Sequence, residues 1–282
     1  MANVRPSAVE AAESSGWSDL TTGMKARRLA FSVVAVATLV LAAVMMRGEL
    51  VLAFTGWTQD LGMHQVHDMT IFGMLWIALL LPMALALYRP AQRVNSVLAP
   101  LVFLVPVAAF AALVASPILM LPLIFGTLGV LALVFHPAGR DVLRFDRVED
   151  VPRLLAGLLV VAAVPLLVYA GGQTLQQLTV GDEHAMFAHY GGMAVASVYV
   201  VIMGALAVFR QRDWRFAAWT AGLVAALVGA TGIAFTVESS VGPLWGGLLV
   251  AWAVVFVAGV EYERRVARDE RSVGRETVAP SD

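Results

Sequence analysis

The sequence predicts an all-helical integral membrane protein with eight transmembrane helices. Hydrophobic residues make up 60% of the 282-residue chain and charged residues 14%, whereas soluble domains carry about 25% charged residues. Eight apolar stretches each approach the roughly 20 residues of helix that cross a bilayer. The basic residues also fall almost entirely on one side of the resulting threading, as the positive-inside rule requires. Together these observations indicate a multi-pass membrane bundle.

Each of the eight predicted spans is an apolar run bounded by polar or charged connectors. In chain order they are Leu29–Met46, Met69–Tyr88, Ser96–Ala115, Ile118–Phe135, Leu154–Gly171, Gly191–Phe209, Phe216–Thr236 and Leu244–Val260. Five prolines fall inside these runs, at Pro82, Pro100, Pro106, Pro122 and Pro165. Each of them removes one backbone hydrogen bond, which a membrane bundle tolerates when neighbouring helices satisfy the freed carbonyl.

The distribution of charge predicts the orientation. An even number of spans puts both termini on one side, and 18 of the 19 lysine and arginine residues lie on that side, with Arg47 alone on the other. We therefore predict that both termini are cytoplasmic and that the protein lies in the cell membrane. The outer side instead holds a set of acidic residues: Glu49, Asp60, Asp68, Asp182, Glu183 and Glu238.

The domain organisation follows from the same pattern. Residues 1–27 are expected to form a disordered cytoplasmic tail, residues 28–260 the eight-helix domain, and residues 261–282 a charged cytoplasmic tail. His67 and His189 lie 122 residues apart and begin the second and sixth spans. This spacing suggests an internal 4+4 repeat with halves 28–136 and 153–260, related by an axis along the membrane normal.

Two polar stretches, Trp57–Met74 and Thr179–Met193, contain four of the five histidines. In the first, spacings of three and four place His64 beside both His67 and Asp68 if the segment is helical, with Asp60 as the helix cap. Such a set ligates a metal ion or supplies an axial haem histidine whose second nitrogen faces an aspartate. The alternative is that these are polar residues satisfied by water at the membrane interface.

In the second stretch, His184 and His189 are five residues apart. On one helix this spacing separates them by roughly 140°, so we expect no chelating pair. Asp182 and Glu183 are expected to cap a helix N-terminus. Gly191 and Gly192 would leave room for a backbone or a flat cofactor. The alternative is again an ordinary interfacial segment.

The two stretches together strengthen the hypothesis of a ligand site, because all four histidines lie on the same side of the membrane. If spans 2 and 6 face each other, His67 and His189 meet and form a cofactor site for haem. A metal site for copper or zinc would use His64, His67, Asp68, His184 and His189. Nearby methionines favour copper or simply pack in the spans: Met63, Met69, Met74, Met186 and Met193. His136 is expected to be interfacial at the inner side, and Glu238 to join the outer acids or to face water.

Several classes of function are disfavoured. No charged residue lies inside a predicted span core, whereas ion-coupled transporters place such groups near the midplane. The chain has no cysteine and a net charge of −1, which leaves no thiolate chemistry and no nucleic-acid footprint. Walker, Gly-x-Ser-x-Gly and His-Glu-x-x-His motifs are absent from the sequence. Gly222, Gly229 and Gly232 in span 7 predict tight helix packing.

The layout of two four-helix halves with histidines at outer helix ends resembles that of haem A synthase and related membrane haem proteins. The resemblance covers architecture only, because spans 3, 7 and 8 lack histidines and the Glu-His pairings of that family are missing. No residue role is carried over from it.

Three hypotheses of function follow. The first is a membrane redox or metal-binding protein with a redox partner, and the second is a permease or channel for a small solute. The third is a cofactor-free scaffold or sensor whose C-terminal tail docks a partner. Whether the chain is an enzyme is left open. A single lysine and abundant Ala and Val are typical of a GC-rich prokaryotic source.

Overall fold

The computed structural model describes residues 21–88, 90–138, 143, 148, 151–237 and 239–276, without the side chains of Met63, Ala91 and residues 267–276. In this part of the chain the regular structure is entirely helical. Eight helices are long and apolar enough to cross a membrane, as predicted. Spans 1 to 8 are Thr22–Met45, Gln65–Tyr88, Val94–Leu113, Pro117–Phe135, Arg153–Thr179, His189–Val208, Trp214–Ala234 and Gly242–Val266.

The observed helices are longer than the apolar runs at several ends. Span 1 begins at Thr22, where the Thr21 hydroxyl accepts a hydrogen bond from the Met24 N–H, so helix occupies the end of the predicted 1–27 tail. The rest of that tail, residues 1–20, lies outside the described residues. Span 8 belongs to a helix that continues to Glu276, through most of the predicted C-terminal tail. A short helix, Arg47–Thr55, follows span 1 and buries Leu50 and Ala53.

The spans pack as two four-helix groups with the same order of neighbours. Span 1 contacts spans 2 and 4, and span 3 also contacts spans 2 and 4. Span 5 contacts spans 6 and 8, and span 7 also contacts spans 6 and 8. The groups meet where spans 2 and 3 pack against spans 6 and 7. This matching order supports the proposed 4+4 repeat, which stays a prediction.

Span 6 lies at the centre of the bundle. Of its apolar window, 72% is buried, against 67% for span 7 and 22% for spans 1 and 5. Most residues at the start of this span are small, as in the run Gly191 to Ser197, and neighbouring helices can therefore approach closely. Any side chain at the first turn of span 6 is therefore held between both four-helix groups.

Span 2 changes its helical geometry halfway along. Residues Leu75–Leu80 form a π-helix, and the Leu81 N–H donates to the Trp76 carbonyl five residues earlier. The next residue, Pro82, has no N–H and so leaves the carbonyl four residues before it without its usual donor. A wider turn here is one way for the helix to absorb that loss. The Trp76 indole N–H donates to the Leu50 carbonyl and joins this segment to the short helix after span 1.

Spans 7 and 8 cross at glycines, which confirms the tight packing that the sequence predicts for this face. A Cβ atom at Gly229 would lie 2.6 Å from the Gly246 carbonyl oxygen, and one at Gly222 would meet the Val257 side chain. The obstacle at Gly229 is backbone, which cannot rotate aside as a side chain can. Gly247, one residue further along span 8, faces open space.

We expect Gly229→Ala to destabilise the bundle by about 1–3 kcal/mol, because the added methyl group forces the two backbones apart. The measurement is thermal unfolding of the purified protein in detergent. Gly247→Ala is the matched control and should leave the midpoint unchanged. Equal midpoints for the two variants would show that the crossing tolerates a wider separation.

The end of the bundle opposite the four histidines, here called the arginine end, is closed by polar contacts. Arg93 donates to Asp213 Oδ1 at 2.8 Å, and the Ser96 hydroxyl lies 3.4 Å from Asp213 Oδ2. The Asn95 amide donates to the Arg212 carbonyl at 2.6 Å. These contacts hold the turn between spans 6 and 7 against the start of span 3. Burial raises the pKa of Asp213 to about 6, although the Arg93 guanidinium opposes the shift.

This raised pKa predicts a pH-dependent contribution to stability. The folded-state value of about 6 exceeds the unfolded value of about 3.9, so the folded protein binds the additional proton between these two limits. Asp213 therefore stabilises the fold most below pH ~4 and loses that contribution as the pH rises through ~6, by at most about 1.4 kcal/mol per pH unit.

Asp213→Asn should abolish this dependence while keeping a residue suited to the left-handed φ of 56° at this position. Between pH 4.5 and pH 7, we expect the unfolding midpoint of the wild type to fall relative to that of the variant. A difference that is constant with pH would contradict the raised pKa.

Candidate functional site

Four histidines from two distant segments of the sequence meet at one end of the bundle. We call His64, His67, His184 and His189 the histidine quartet, and this end of the bundle the histidine end. The ring of His64 lies 4.5 Å from that of His184 and 5.0 Å from that of His189, between centroids. The ring of His67 lies 4.9 Å from His184 and 5.2 Å from His189. Each half of the chain thus supplies two of the four rings.

The segment that carries His64 is not the continuous helix that its spacing predicts. Residues Gly62–His64 form a 3-10 turn, and the helix of span 2 begins at Gln65. Gly62 adopts a φ of 65°, which a residue with a side chain rarely accepts. Asp60 accepts a hydrogen bond from the Gly62 N–H at 3.0 Å, so it stabilises this turn and does not cap span 2. The turn that contains His64 runs directly into the helix of span 2, and His64 lies close to both His67 and Asp68, as the spacing predicts.

The segment that carries His184 and His189 is also broken. Glu183–Met186 forms a single helical turn, and Ala188 takes a left-handed φ of 58° before span 6 begins at His189. The predicted separation of roughly 140° assumed one helix and does not apply. The two rings lie 6.0 Å apart. The capping role predicted for Asp182 is confirmed, because its Oδ1 accepts from the Ala185 N–H at 2.9 Å.

Gln177 holds this broken segment against span 5. Its side-chain amide donates to the Ala185 carbonyl and accepts from the Gly191 N–H, each at 2.8 Å. The predicted span 5 ends at Gly171, so Gln177 is not among the predicted site residues. The signal was present: Leu175 and Leu178 continue the apolar character of the span, and the helix runs to Thr179. Two histidine positions thus depend on one buried amide.

Carboxylates surround the quartet in a crossed arrangement. His64 of the first half has its Nε2 atom 3.7 Å from Glu183 of the second half. His189 of the second half has its Nε2 atom 3.7 Å from Asp68 of the first half. The opposite ring nitrogens of the same two histidines, both Nδ1, face each other at 3.1 Å. A nitrogen of each ring thus points into the quartet while the other faces an acid.

Asp182 links His184 to Tyr190. Its Oδ2 atom lies 3.5 Å from His184 Nδ1 and accepts a hydrogen bond from the Tyr190 hydroxyl at 2.7 Å. Partial burial would raise the pKa of Asp182, but the hydrogen bonds from Ala185 and Tyr190 outweigh it and lower that pKa. The quartet therefore has a permanent negative charge beside it at neutral pH.

His67 is the deepest member of the quartet. It is fully buried, and neither of its ring nitrogens has a hydrogen-bond partner among the described residues. Leaving a buried donor or acceptor unpaired costs about 1–3 kcal/mol, so such groups call for an explanation. A metal ion that accepts the lone pair of an imidazole nitrogen would supply such an explanation.

The methionines and glycines near the quartet have packing partners that are not part of a site. Met69 packs against Gly56, and Met186 is exposed. Met74 lies in the hydrophobic core and Met193 is buried in span 6, while the side chain of Met63 is not described. The space beside Gly191 and Gly192 is filled by Phe110 and Ile71. The room that the sequence suggested for a flat cofactor is therefore occupied.

The remaining candidates lie elsewhere. His136 is fully buried near the arginine end with its ring edge-on to Phe31, and its Nδ1 accepts from the Ala138 N–H at 3.3 Å. Burial lowers the pKa of His136 to about 4. Glu238 lies outside the described residues.

The quartet does not fit a bis-histidine haem as it stands. An axial pair must leave a porphyrin between the two rings, but His67 and His189 stack nearly parallel at 5.2 Å and 17° and both contact His184. Nor is the quartet a finished metal site. In the described ranges, no three histidine or acidic side chains have the arrangement that would hold an ion without further movement.

The fold supports one class of protein: a multi-pass helical membrane protein with eight spans. Comparisons of the chain with protein-family models, curated proteins and solved structures find no match. Its function must therefore be inferred from its own residues.

We expect Gln177→Ala to loosen the segment that carries His184 and His189. The substitution leaves the Gly191 N–H without this acceptor, at a cost of about 1–3 kcal/mol, while the Ala185 carbonyl keeps only its backbone hydrogen bond from the Ala188 N–H. Hydrogen–deuterium exchange of residues 183–192 should become faster. Gln176→Ala is the control, since the Oε1 atom of Gln176 has no partner in the described structure. Similar exchange in both variants would exclude the role given to Gln177.

Proposed function

We propose that the protein is a membrane metal-binding protein that holds a transition-metal ion within the histidine quartet. The observation that carries the proposal is the meeting of four imidazole rings from two distant segments, one of them fully buried without a hydrogen-bond partner. Imidazole is the commonest metal ligand among side chains. Burying the ring costs little free energy if a metal ion accepts the lone pair of its nitrogen.

The spacing of the rings suits a common ligand. Metal–nitrogen bonds of about 2.0–2.1 Å around a tetrahedral ion place imidazole centres roughly 5 Å apart and their nitrogens about 3.3 Å apart. The ring centroids of the quartet lie 4.5 to 6.0 Å apart, and the two facing Nδ1 atoms are 3.1 Å apart. Binding would therefore require rotation of the His67 and His184 rings and no movement of the helices.

The ligand chemistry selects the class of metal. Nitrogen donors with nearby carboxylates suit zinc, copper(II) and nickel, whereas magnesium and calcium prefer an all-oxygen shell. Copper(I) favours soft sulfur ligands, whereas the thioether of Met69 packs against Gly56 and the side chain of Met186 is exposed. We therefore favour a divalent ion of the zinc or copper(II) type over haem and over copper(I).

The orientation belongs to the same proposal. The one-sided distribution of basic residues in the sequence supports an orientation with the histidine end outside the cytoplasm and the arginine end inside. The quartet would then meet ions from the outer side of the cell membrane. A bound copper ion would add a redox role with an external partner, while a bound zinc ion would act structurally or as a sensor.

The expected result is that protein purified without a metal-chelating tag retains one zinc or copper equivalent, or binds one on titration. His67→Gln combined with His189→Gln should abolish that stoichiometric binding, because two of the four nitrogen ligands are lost. Elemental analysis of monodisperse protein, with a visible spectrum of the same sample, makes the measurement.

His136→Gln is the control for histidine loss away from the quartet and should retain the ion. Stoichiometric metal in the double variant, or none in the wild type under saturating conditions, would sink the proposal. A Soret band in the wild type would replace the ion with haem. The permease and scaffold hypotheses would lead if neither metal nor haem is found.

A further inference from the structure

The crossed carboxylates suggest how the two halves of the chain prepare the site. His64 faces Glu183, and His189 faces Asp68, so each acid lies in the half that does not contain its histidine. Neither acid has its carboxylate directed at an arginine or lysine in the described structure. Both pairs involve Nε2, and both leave Nδ1 directed at the other histidine.

An imidazole ring has one N–H and one lone pair when it is neutral. A carboxylate accepts hydrogen bonds and cannot donate when ionised, so an acid beside Nε2 favours the tautomer with the proton on Nε2. The separations of 3.7 Å exceed a direct hydrogen bond, and a small ring rotation or one bridging water closes them.

The Nδ1 atoms of His64 and His189 lie 3.1 Å apart, the distance of a hydrogen bond if one of the two rings carries its proton on Nδ1. If both rings instead carry the proton on Nε2, two lone pairs face each other across this distance. That contact is repulsive unless a positive charge lies between them. A metal ion with nitrogen bonds of about 2.0–2.1 Å would subtend an angle of about 100° at such a pair, which tetrahedral coordination accommodates. The other two coordination positions of the ion would face His67 and His184.

We infer that Asp68 and Glu183 are positioning residues that act in trans, orienting the Nδ1 atoms of His189 and His64 toward a shared metal ion that joins the two halves of the bundle. The inference rests on the proposed function and deepens it. It specifies Nδ1 coordination by two histidines, a requirement for two acids that do not touch the ion, and a metal bridge between spans 2 and 6.

The first test measures affinity. Asp68→Asn and Glu183→Gln keep side-chain shape but can present an amide N–H to Nε2 and so disturb the tautomer. Each should weaken zinc binding by about 10–100-fold, the usual effect of losing the acid behind a ligating histidine. Glu49→Gln is the control, since Glu49 lies at the same end of the bundle in the helix Arg47–Thr55, and it should bind zinc like the wild type.

The second test reads the tautomer directly. Nitrogen-15 NMR of histidine-labelled protein distinguishes Nδ1 from Nε2 as the unprotonated or zinc-bound atom. Wild type should show Nε2–H rings with zinc on Nδ1 at His64 and His189, assigned by single His→Gln variants. Asp68→Asn should alter the His189 signals and Glu183→Gln those of His64.

The outcomes separate the two proposals. Absence of zinc and copper binding by the wild type would refute the proposed function. Wild-type binding that is unchanged in both acid variants, or zinc bound through Nε2, would overturn the trans-positioning role and leave the metal site standing. A loss of folding in the acid variants would appear as aggregation on size exclusion, and the wild-type NMR signals would still decide the coordinating atom.

Discussion

The fold depends on the requirement that a helix in hydrocarbon satisfies its own backbone, because no water is available there to do so. In this chain the requirement is met by eight long helices whose cores carry no charged side chain. Charged side chains are consequently confined to the two ends. At one end an aspartate, an arginine and an asparagine close the turn between spans 6 and 7. At the other end histidines and acids gather where helices begin.

The same requirement explains what the sequence could predict. Apolar runs and the one-sided distribution of basic residues predict eight spans, and glycines such as Gly229 predict close crossings. These features depend on composition and local period. The proximity of His67 and His189 was also accessible, because both begin spans that a 4+4 arrangement places side by side. Their capacity to bind an ion is a property that no pattern in the sequence measures.

The rest of the site depends on geometry that periodicity does not encode. A left-handed glycine at Gly62 and a left-handed residue at Ala188 break two segments that spacing alone treats as helices. His64 follows the first of these positions by two residues, and His184 precedes the second by four. The role of Gln177 is likewise hidden from the sequence pattern, because it follows from an extension of span 5 by two turns and from hydrogen bonds to backbone groups on either side of the break at Ala188. The hydrophobic period of a sequence does not reveal local backbone strain or the hydrogen bonds that compensate for it.

The location of the quartet at the junction of the two halves also limits what it can do. Phe110 and Ile71 fill the space beside Gly191 and Gly192, so span 6 is already in close contact with spans 2 and 3 below the histidines. An ion held there has no polar path of charged groups through the described span cores, in contrast to the midplane sites of ion-coupled transporters. Binding of the ion would instead stabilise the contact between segments from the two halves. The absence of charged groups from the described span cores therefore favours a structural, sensory or redox role for the proposed ion over its transport.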